Sequence, residues 1–328
     1  MVKNTLLVLR FSAMGDVAIA ASVMREVAAQ NPDSRFVFAT RAFFAPFFDD
    51  IPNLELFPID FKEKYKGLKG IFKLYKDLKN NYKITAVADL HDVLRTKLLK
   101  FCFRLSFKNI KIATIDKGRK EKRALCSESI QHKTPLKPAW QRYVDVFRQL
   151  NIDTEIKPLY ISFFPEKVKK VGISPFAQHK GKIYPQELLE KVLETLSAHY
   201  EIYLFGGGNQ ERTLCETWQE KYHNVHSLVG KYSLKEELNF ISTLDVMLSM
   251  DSSGMHLASL CNVPCVSVWG ATHPYSGFVG FGQEHNPQIQ LDLPCRPCSA
   301  YGNKPCKFED YRCLYGITPG EIIQRFKI

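Results

Sequence analysis

Twice along this 328-residue chain, short apolar runs of strand length alternate with segments of helical period, and that alternation confines it to a parallel α/β architecture. In the first half, strand-like runs cover residues 6–11, 35–40, 54–58 and 84–90. Helical patterns separate them: one from the turn at Ser12 to about Gln30, one over 67–81 and one over 93–105. After a polar, charged break at 151–170, which follows or includes a strand-like run at 160–164, the alternation restarts. Strands are expected at 171–175, 201–206, 225–230, 246–250 and 265–270, with helices at 185–200, 209–222 and 234–243. Parallel strands joined by helices need right-handed crossovers, and their loops gather at the carboxyl ends of the strands. Two such blocks predict two domains, 1–165 and 166–315, facing across a cleft.

Composition narrows the classes. The hydrophobic fraction of 45% is that of a soluble globular protein, and no apolar run reaches the ~18 residues of a membrane span. The start, Met1-Val-Lys-Asn-Thr, runs directly into a strand without the apolar core and cleavage site of a signal peptide, so the expected location is the cytoplasm. Net charge is +11, and the excess sits in the first half, over 61–83 and 95–123. Such faces attract nucleic acid, anionic membrane or acidic substrates. For the first stretch taken alone, a solvated helix face with Phe61, Tyr65, Phe72, Tyr75 and Tyr82 as its buried stripe is the preferred reading.

The densest chemistry lies at Val246-Met-Leu-Ser-Met-Asp251-Ser-Ser-Gly254-Met-His256-Leu-Ala258. An apolar strand stops and turns straight into a helix. Asp251, Ser252 and Ser253 are helix-capping types, and Gly254 permits a tight turn. The start of that helix offers backbone N–H groups and the positive end of a dipole, which suits a phosphate or diphosphate, and Ser252, Ser253 and His256 add donors. An ordinary capped helix remains the alternative. Elsewhere in this half, Lys180 and Lys182 follow a strand and suit phosphate charge, and Gly206-Gly207-Gly208 allows close approach of a ligand. Glu211 suits ribose hydroxyls or, equally, the first turn of a helix. Gly230 closes a strand. In the first half, Asp16 follows Gly15 at a strand-to-helix turn, where a carboxylate can act as general base on a hydroxyl or simply complement the helix dipole.

Taken in order, these segments resemble glycosyltransferase family 9, the ADP-heptose:lipopolysaccharide heptosyltransferases. Arg10-Phe-Ser12-Ala-Met-Gly15-Asp16-Val looks like the family's opening motif, and 174–185, ending Lys182-Ile-Tyr184-Pro185, looks like its K-x-W-P segment with Tyr184 in place of Trp. Leu204-Phe-Gly206-Gly207 with Glu211, and Leu228-Val-Gly230, fit its nucleotide loops. Asp251-Ser252-Ser253-Gly254-Met-His256 and Val268-Trp-Gly270-Ala-Thr272 fit its last two motifs, with Ser253 an added hydroxyl. The resemblance implies a GT-B fold of two Rossmann-like domains, inversion at the anomeric carbon, and no metal or other cofactor. By it, Asp16 is the base, and Lys182 with the 251–256 helix start holds the donor diphosphate. Gly206, Gly207, Glu211 and Gly230 contact the nucleotide. Arg10, Ser12, Gly15 and, from its place after Asp89-Leu-His-Asp92, Arg95 contact the acceptor.

The donor is then ADP-heptose and the acceptor an anionic, lipid-linked inner-core saccharide of lipopolysaccharide. The protein is expected as a monomer at the cytoplasmic face of the inner membrane, with no nucleic-acid partner. The last helix, 316–328, is expected to pack back on the first domain. A nucleotide-sugar epimerase on the same fold and a non-catalytic basic binding protein are the competing readings. The second of these leaves the glycine turns and the 251–256 stretch without a use.

Nine cysteines remain, of which Cys295, Cys298, Cys306 and Cys313 cluster near the end. C-x-x-C with two further thiols suits structural zinc, but the later pair is not a second C-x-x-C, and reduced thiols are the first expectation.

Overall fold

The computed structural model describes residues 4–106, 110–127, 133–152, 154–157, 160–161 and 168–326. The chain divides into two compact units, Met1–Lys117 with Ala139–Lys157, and Gly118–Pro138 with Pro158–Ile328.

In the first unit five parallel strands form one sheet. They are β1 (Asn4–Leu9), β2 (Ser34–Thr40), β3 (Leu54–Pro58), β4 (Ala86–Asp89) and β5 (Lys111–Thr114), in the order β3-β2-β1-β4-β5. The crossovers are α1 (Met14–Gln30), α2 (Gly67–Asn81) and α3 (Leu94–Ser106), and α5 (Ala139–Gln149) packs on α1. Continuous burial of Leu6 to Leu9 and Phe36 to Ala39 fits a sheet covered on both faces. Of the aromatics in the basic stretch, Tyr65, Tyr75 and Tyr82 are buried as a stripe, whereas Phe72 points into solvent.

The second unit has six parallel strands in the order β11-β10-β9-β6-β7-β8. These are β6 (Lys170–Ser174), β7 (Glu201–Leu204), β8 (Val225–Ser227), β9 (Val246–Met250), β10 (Cys265–Val268) and β11 (Gln288–Ile289). Its helices are α4 (Arg119–Leu125), α6 (Gln186–Ser197), α7 (Asn209–Lys221), α8 (Leu234–Ile241), α9 (Ser253–Leu260), α10 (Arg312–Tyr315) and α11 (Pro319–Ile323). Ser233 and Glu236 close a reciprocal capping box that starts α8. This strand order is the doubly wound one, in which the connections reverse direction between β6 and β9.

The structure departs from the expected domain limits in one place. Residues Gly118–Pro138 belong with the second unit, because Leu136 donates its N–H to the Tyr275 carbonyl at 2.9 Å and the Lys122 ammonium lies 4.1 Å from the Phe278 ring centroid. The boundary at 165, and most of the strand expected over 160–164, lie outside the described residues. From the sequence the last helix is expected to pack back on the first domain; what is described of it is its packing within the second unit. There α11 packs on α6, Ile317, Ile322 and Phe326 join the second unit's core, and the Tyr200 hydroxyl donates to the Phe326 carbonyl. Apolar side chains on the tail match the apolar face of α6, and that burial decides where it sits.

Ile322→Ala removes a fully buried side chain from this cluster. We expect it to lower stability by about 2–4 kcal/mol in denaturant unfolding. A loss below about 0.5 kcal/mol would mean that the tail is only loosely attached.

Candidate functional site: the strand ends of the two units

In the second unit the sequence-predicted phosphate residues meet where β6 and β9 end, at the point where the winding reverses. Asp251 directly follows β9 and is almost fully buried. One of its oxygens, Oδ2, takes two partners: the Lys182 ammonium at 3.0 Å and the Thr272 hydroxyl at 2.7 Å. Lys182 comes from the turn after β6, whose backbone is tied to the β10 loop by the Ala271 N–H donating to the Gly181 carbonyl at 2.8 Å. An ammonium has three donors, so Asp251 orients Lys182 without exhausting it.

Ser252 is the N-cap of α9 in extended conformation, with its hydroxyl 3.5 Å from Ser249 Oγ rather than on a helix N–H. Gly254 lies against the end of β6, where an added Cβ would stand 2.3 Å from Ser174 Oγ. Only glycine therefore lets the helix start sit this close to the neighbouring strand. His256 is buried one turn into α9. Tyr184, in the position of the expected Trp, is fully buried and donates its hydroxyl to the Ile317 carbonyl at 2.8 Å, a structural role within this unit.

The glycine turn after β7 is closed by Glu211, whose Oε2 accepts the Gly207 N–H at 2.6 Å. This is the geometry of a first-turn acid, one of the two readings of Glu211. Gly230, at φ +72°, lies under the Arg212 guanidinium, so that β8's end and α7's start are packed together.

In the first unit the ends of β1 and β4 carry a second cluster. Asp16 stands in the first turn of α1 and binds Arg10 Nη2 through Oδ2 at 2.5 Å. Arg10 also donates to the Leu90 carbonyl at 2.7 Å and is 6% exposed, so it is held within the unit against Asp16. The Tyr143 hydroxyl, from α5, reaches Asp16 Oδ1 at 3.4 Å. Burial raises the Tyr143 pKa above its ordinary value, which keeps it a donor.

Asp89 ends β4, accepts the N–H groups of His91 and Asp92 at 2.9 Å, and pairs with the buried Lys100 ammonium at 2.6 Å. His91 accepts the Phe11 N–H at Nδ1, 3.3 Å away. Ser12 and Gly15 flank Asp16 and are half-buried, and Arg95 is exposed with its guanidinium 4.5 Å from the Phe61 ring centroid. Tyr143, His91 and Asp89 were not singled out as site residues from the sequence. The spacing of Trp140, Tyr143, Val144 and Phe147 is the helical signal that would have revealed α5.

Thr272 and Arg296 were likewise missed as supports of the lysine. Arg296 is 2% exposed and donates to the carbonyls of Trp269 at 3.0 Å, Gly270 at 2.5 Å, Thr272 at 2.8 Å and Leu291. It thereby fixes the β10 loop that presents Thr272 to Asp251. Around it, Cys295, Cys298, Cys306 and Cys313 are free thiols, and among the described residues no group of three or more His, Cys, Asp or Glu side chains is arranged to hold a metal ion.

Two doubly wound parallel α/β units with phosphate-suited residues at the second unit's switch point define a protein of the GT-B class, the fold of nucleotide-sugar transferases. Comparison with known proteins carries this to a family. Residues 71–309 match the model of glycosyltransferase family 9 (heptosyltransferase), and the chain belongs to that family. Lipooligosaccharide heptosyltransferase 2 of Campylobacter jejuni (serotype O:2) is 28% identical over 48% of this chain, and the match spans only half (50%) of that relative's length. The lipopolysaccharide core heptosyltransferase OpsX of Haemophilus influenzae is 25% identical over 83% of this chain and 80% of its own. Among solved structures, the E. coli heptosyltransferase WaaC with ADP shares the fold at a TM-score of 0.71, with 17% identity over 98% of this chain and 99% of that one.

Two outcomes test this geometry. Gly254→Ala should destabilise the protein by about 1–3 kcal/mol, because the Cβ must displace α9 or Ser174; unchanged thermal unfolding would contradict the close approach. Burial, with the charges of Arg10 and Lys117, pushes the His91 pKa down to about 4, from an ordinary value near 6.5. A depressed folded value means that the neutral ring's contribution is complete above about pH 6.5 and is lost as pH falls toward about 4. His91→Gln should therefore flatten the fall in stability over that window, which pH-dependent urea unfolding would measure.

Proposed function

We propose that this protein is an inverting, metal-independent glycosyltransferase that moves a heptose or related sugar from an ADP-sugar to an anionic, lipid-linked inner-core saccharide of lipopolysaccharide. The observation that carries the reading is the Lys182 ammonium, held by Asp251 and Thr272 beside the hydroxyl-rich start of α9. Its support from relatives is that the matched proteins are named heptosyltransferases and that WaaC is solved with ADP.

In this reading the second unit takes the donor. Lys182, Ser252, Ser253 and the N–H groups of α9's first turn receive the diphosphate, with Gly254 and His256 shaping that turn. The glycine turn at Gly206 and Gly207, with Glu211 and Gly230, receives the nucleoside. The first unit supplies the base. Asp16 takes the proton of the acceptor hydroxyl as that oxygen bonds to the anomeric carbon, and the bond from that carbon to the diphosphate oxygen breaks. Attack from the opposite face inverts the centre. The negative charge released grows on the departing diphosphate, where Lys182 and the helix start stabilise it more strongly than in the ground state. Arg10 and Tyr143 hold the Asp16 carboxylate in place. Ser12, Gly15 and the exposed Arg95 meet the acidic acceptor. The work is placed at the cytoplasmic face of the inner membrane, by a monomer.

Asp16→Asn keeps the shape and removes the base. With ADP-heptose and an inner-core acceptor, in chelator, its kcat should fall about 10²- to 10⁴-fold while its affinity for ADP stays that of the parent. Transfer at the parent rate would remove Asp16 from the mechanism. Donor turnover by the parent without any acceptor would instead point to an epimerase.

A further inference from the structure

α3 carries apolar side chains on both sides. One face buries Thr96, Leu99, Lys100, Cys102 and Phe103 in the first unit. The opposite face carries Leu94, 72% exposed, Phe101, 58% exposed, and Leu105, 73% exposed, with Leu98 half-buried between them. Positions 94, 98, 101 and 105 fall on a single line of an α-helix, so this is a continuous stripe. A helix that packs on a sheet by one face normally turns polar side chains to water on the other.

Cations flank the stripe. Lys97 and Arg104 lie along one edge and Arg95 along the other, all exposed, and residues 94–106 contain no Asp or Glu. The neighbouring α2 packs on α3, with the Tyr75 ring 5.1 Å from that of Phe103. It adds exposed Leu68 and Phe72, 66% and 58% exposed, among exposed Lys69, Lys73 and Lys76. The acid of α2, Asp77, accepts from the Tyr65 hydroxyl at 2.9 Å and pairs with Lys64 at 3.3 Å.

We infer that the outer face of α3, bordered by α2, docks on an anionic lipid bilayer, lying in the plane of its surface. Leucine and phenylalanine enter the boundary between headgroups and acyl chains while arginine and lysine meet the anionic headgroups, the pattern of helices that lie on membranes. Charge selects this occupant, since a stripe without acids and rimmed with cations complements an anionic surface. Among the described residues no helix is long and apolar enough to cross a membrane, so a contact made by α3 lies in the plane. The inference deepens the membrane placement in the proposed function and rests on it, while using neither the donor residues nor Asp16.

Vesicle flotation tests it on the full chain, with phosphatidylethanolamine vesicles containing phosphatidylglycerol against phosphatidylcholine vesicles. The parent should float with the anionic vesicles alone and release as salt is raised. A variant carrying Leu94→Gln, Phe101→Gln and Leu105→Gln should keep the parent's thermal unfolding and ADP affinity yet bind anionic vesicles at least about tenfold more weakly. A second, with Lys69→Glu, Lys73→Glu and Lys76→Glu, should also lose binding. Flotation of the glutamine variant like the parent would overturn the inference, as would a parent that ignores both vesicles or takes both alike. A parent dimer in light scattering that the glutamine variant abolishes, without vesicle binding, would assign the face to a second copy and overturn it too. Loss of ADP binding by the parent would strike the transferase reading alone.

Discussion

A single carboxylate oxygen, Oδ2 of Asp251, joins the ends of three neighbouring strands. It belongs to the residue that follows β9, it receives Lys182 from the turn after β6, and it receives Thr272 from the loop after β10. With Asp251 nearly enclosed, the three groups depend on one another. Removing one member of a buried pair leaves an uncompensated charge or an unsatisfied acceptor, at about 3–5 kcal/mol. Arg296 extends the dependence outward by gripping the carbonyls of residues 269, 270 and 272. The orientation of the lysine is therefore set by the protein itself, which is the condition under which a charge is most effective in stabilising another.

The first unit solves a related problem with a different pair. Arg10 holds Asp16 from the buried side while the Asp16 side chain stays about a quarter open (28%). The Tyr143 hydroxyl approaches the other oxygen. Beneath them, Asp89 and Lys100 form a buried pair at the end of β4, and Asp89 also ties down the backbone of residues 91 and 92. Both clusters stand at strand ends where a doubly wound sheet reverses direction, the place where such sheets leave backbone and side chains unfilled by the next crossover.

How much of this the sequence shows follows from range. The strand, turn and helix at 246–260 are legible because every signal in them is local: an apolar run, capping residues, a glycine, then helical spacing. The same holds for α1, α2, α3 and most strands of both sheets. What was not legible is contact across long separations. Thr272 reads as one residue of a strand-end motif until Asp251 is seen 2.7 Å away, and Arg296 reads as a basic residue beside a cysteine until it is found buried among carbonyls. The resemblance of the 10–16 motif gives Arg10 as an acceptor contact, and its burial is not legible there. Its burial follows from a partner 80 residues on, the Leu90 carbonyl. The packing of the tail is likewise a long-range match, with Ile317, Ile322 and Phe326 joining the second unit's core beside α6.

The most direct test of the account is titration calorimetry of ADP and AMP against the parent protein and Lys182→Met. If the lysine and the α9 helix start receive a diphosphate, the parent binds ADP at least about tenfold more tightly than AMP, and Lys182→Met removes that difference while leaving AMP affinity in place. Equal affinities for ADP and AMP in the parent, or an ADP preference that survives the loss of Lys182, would contradict it.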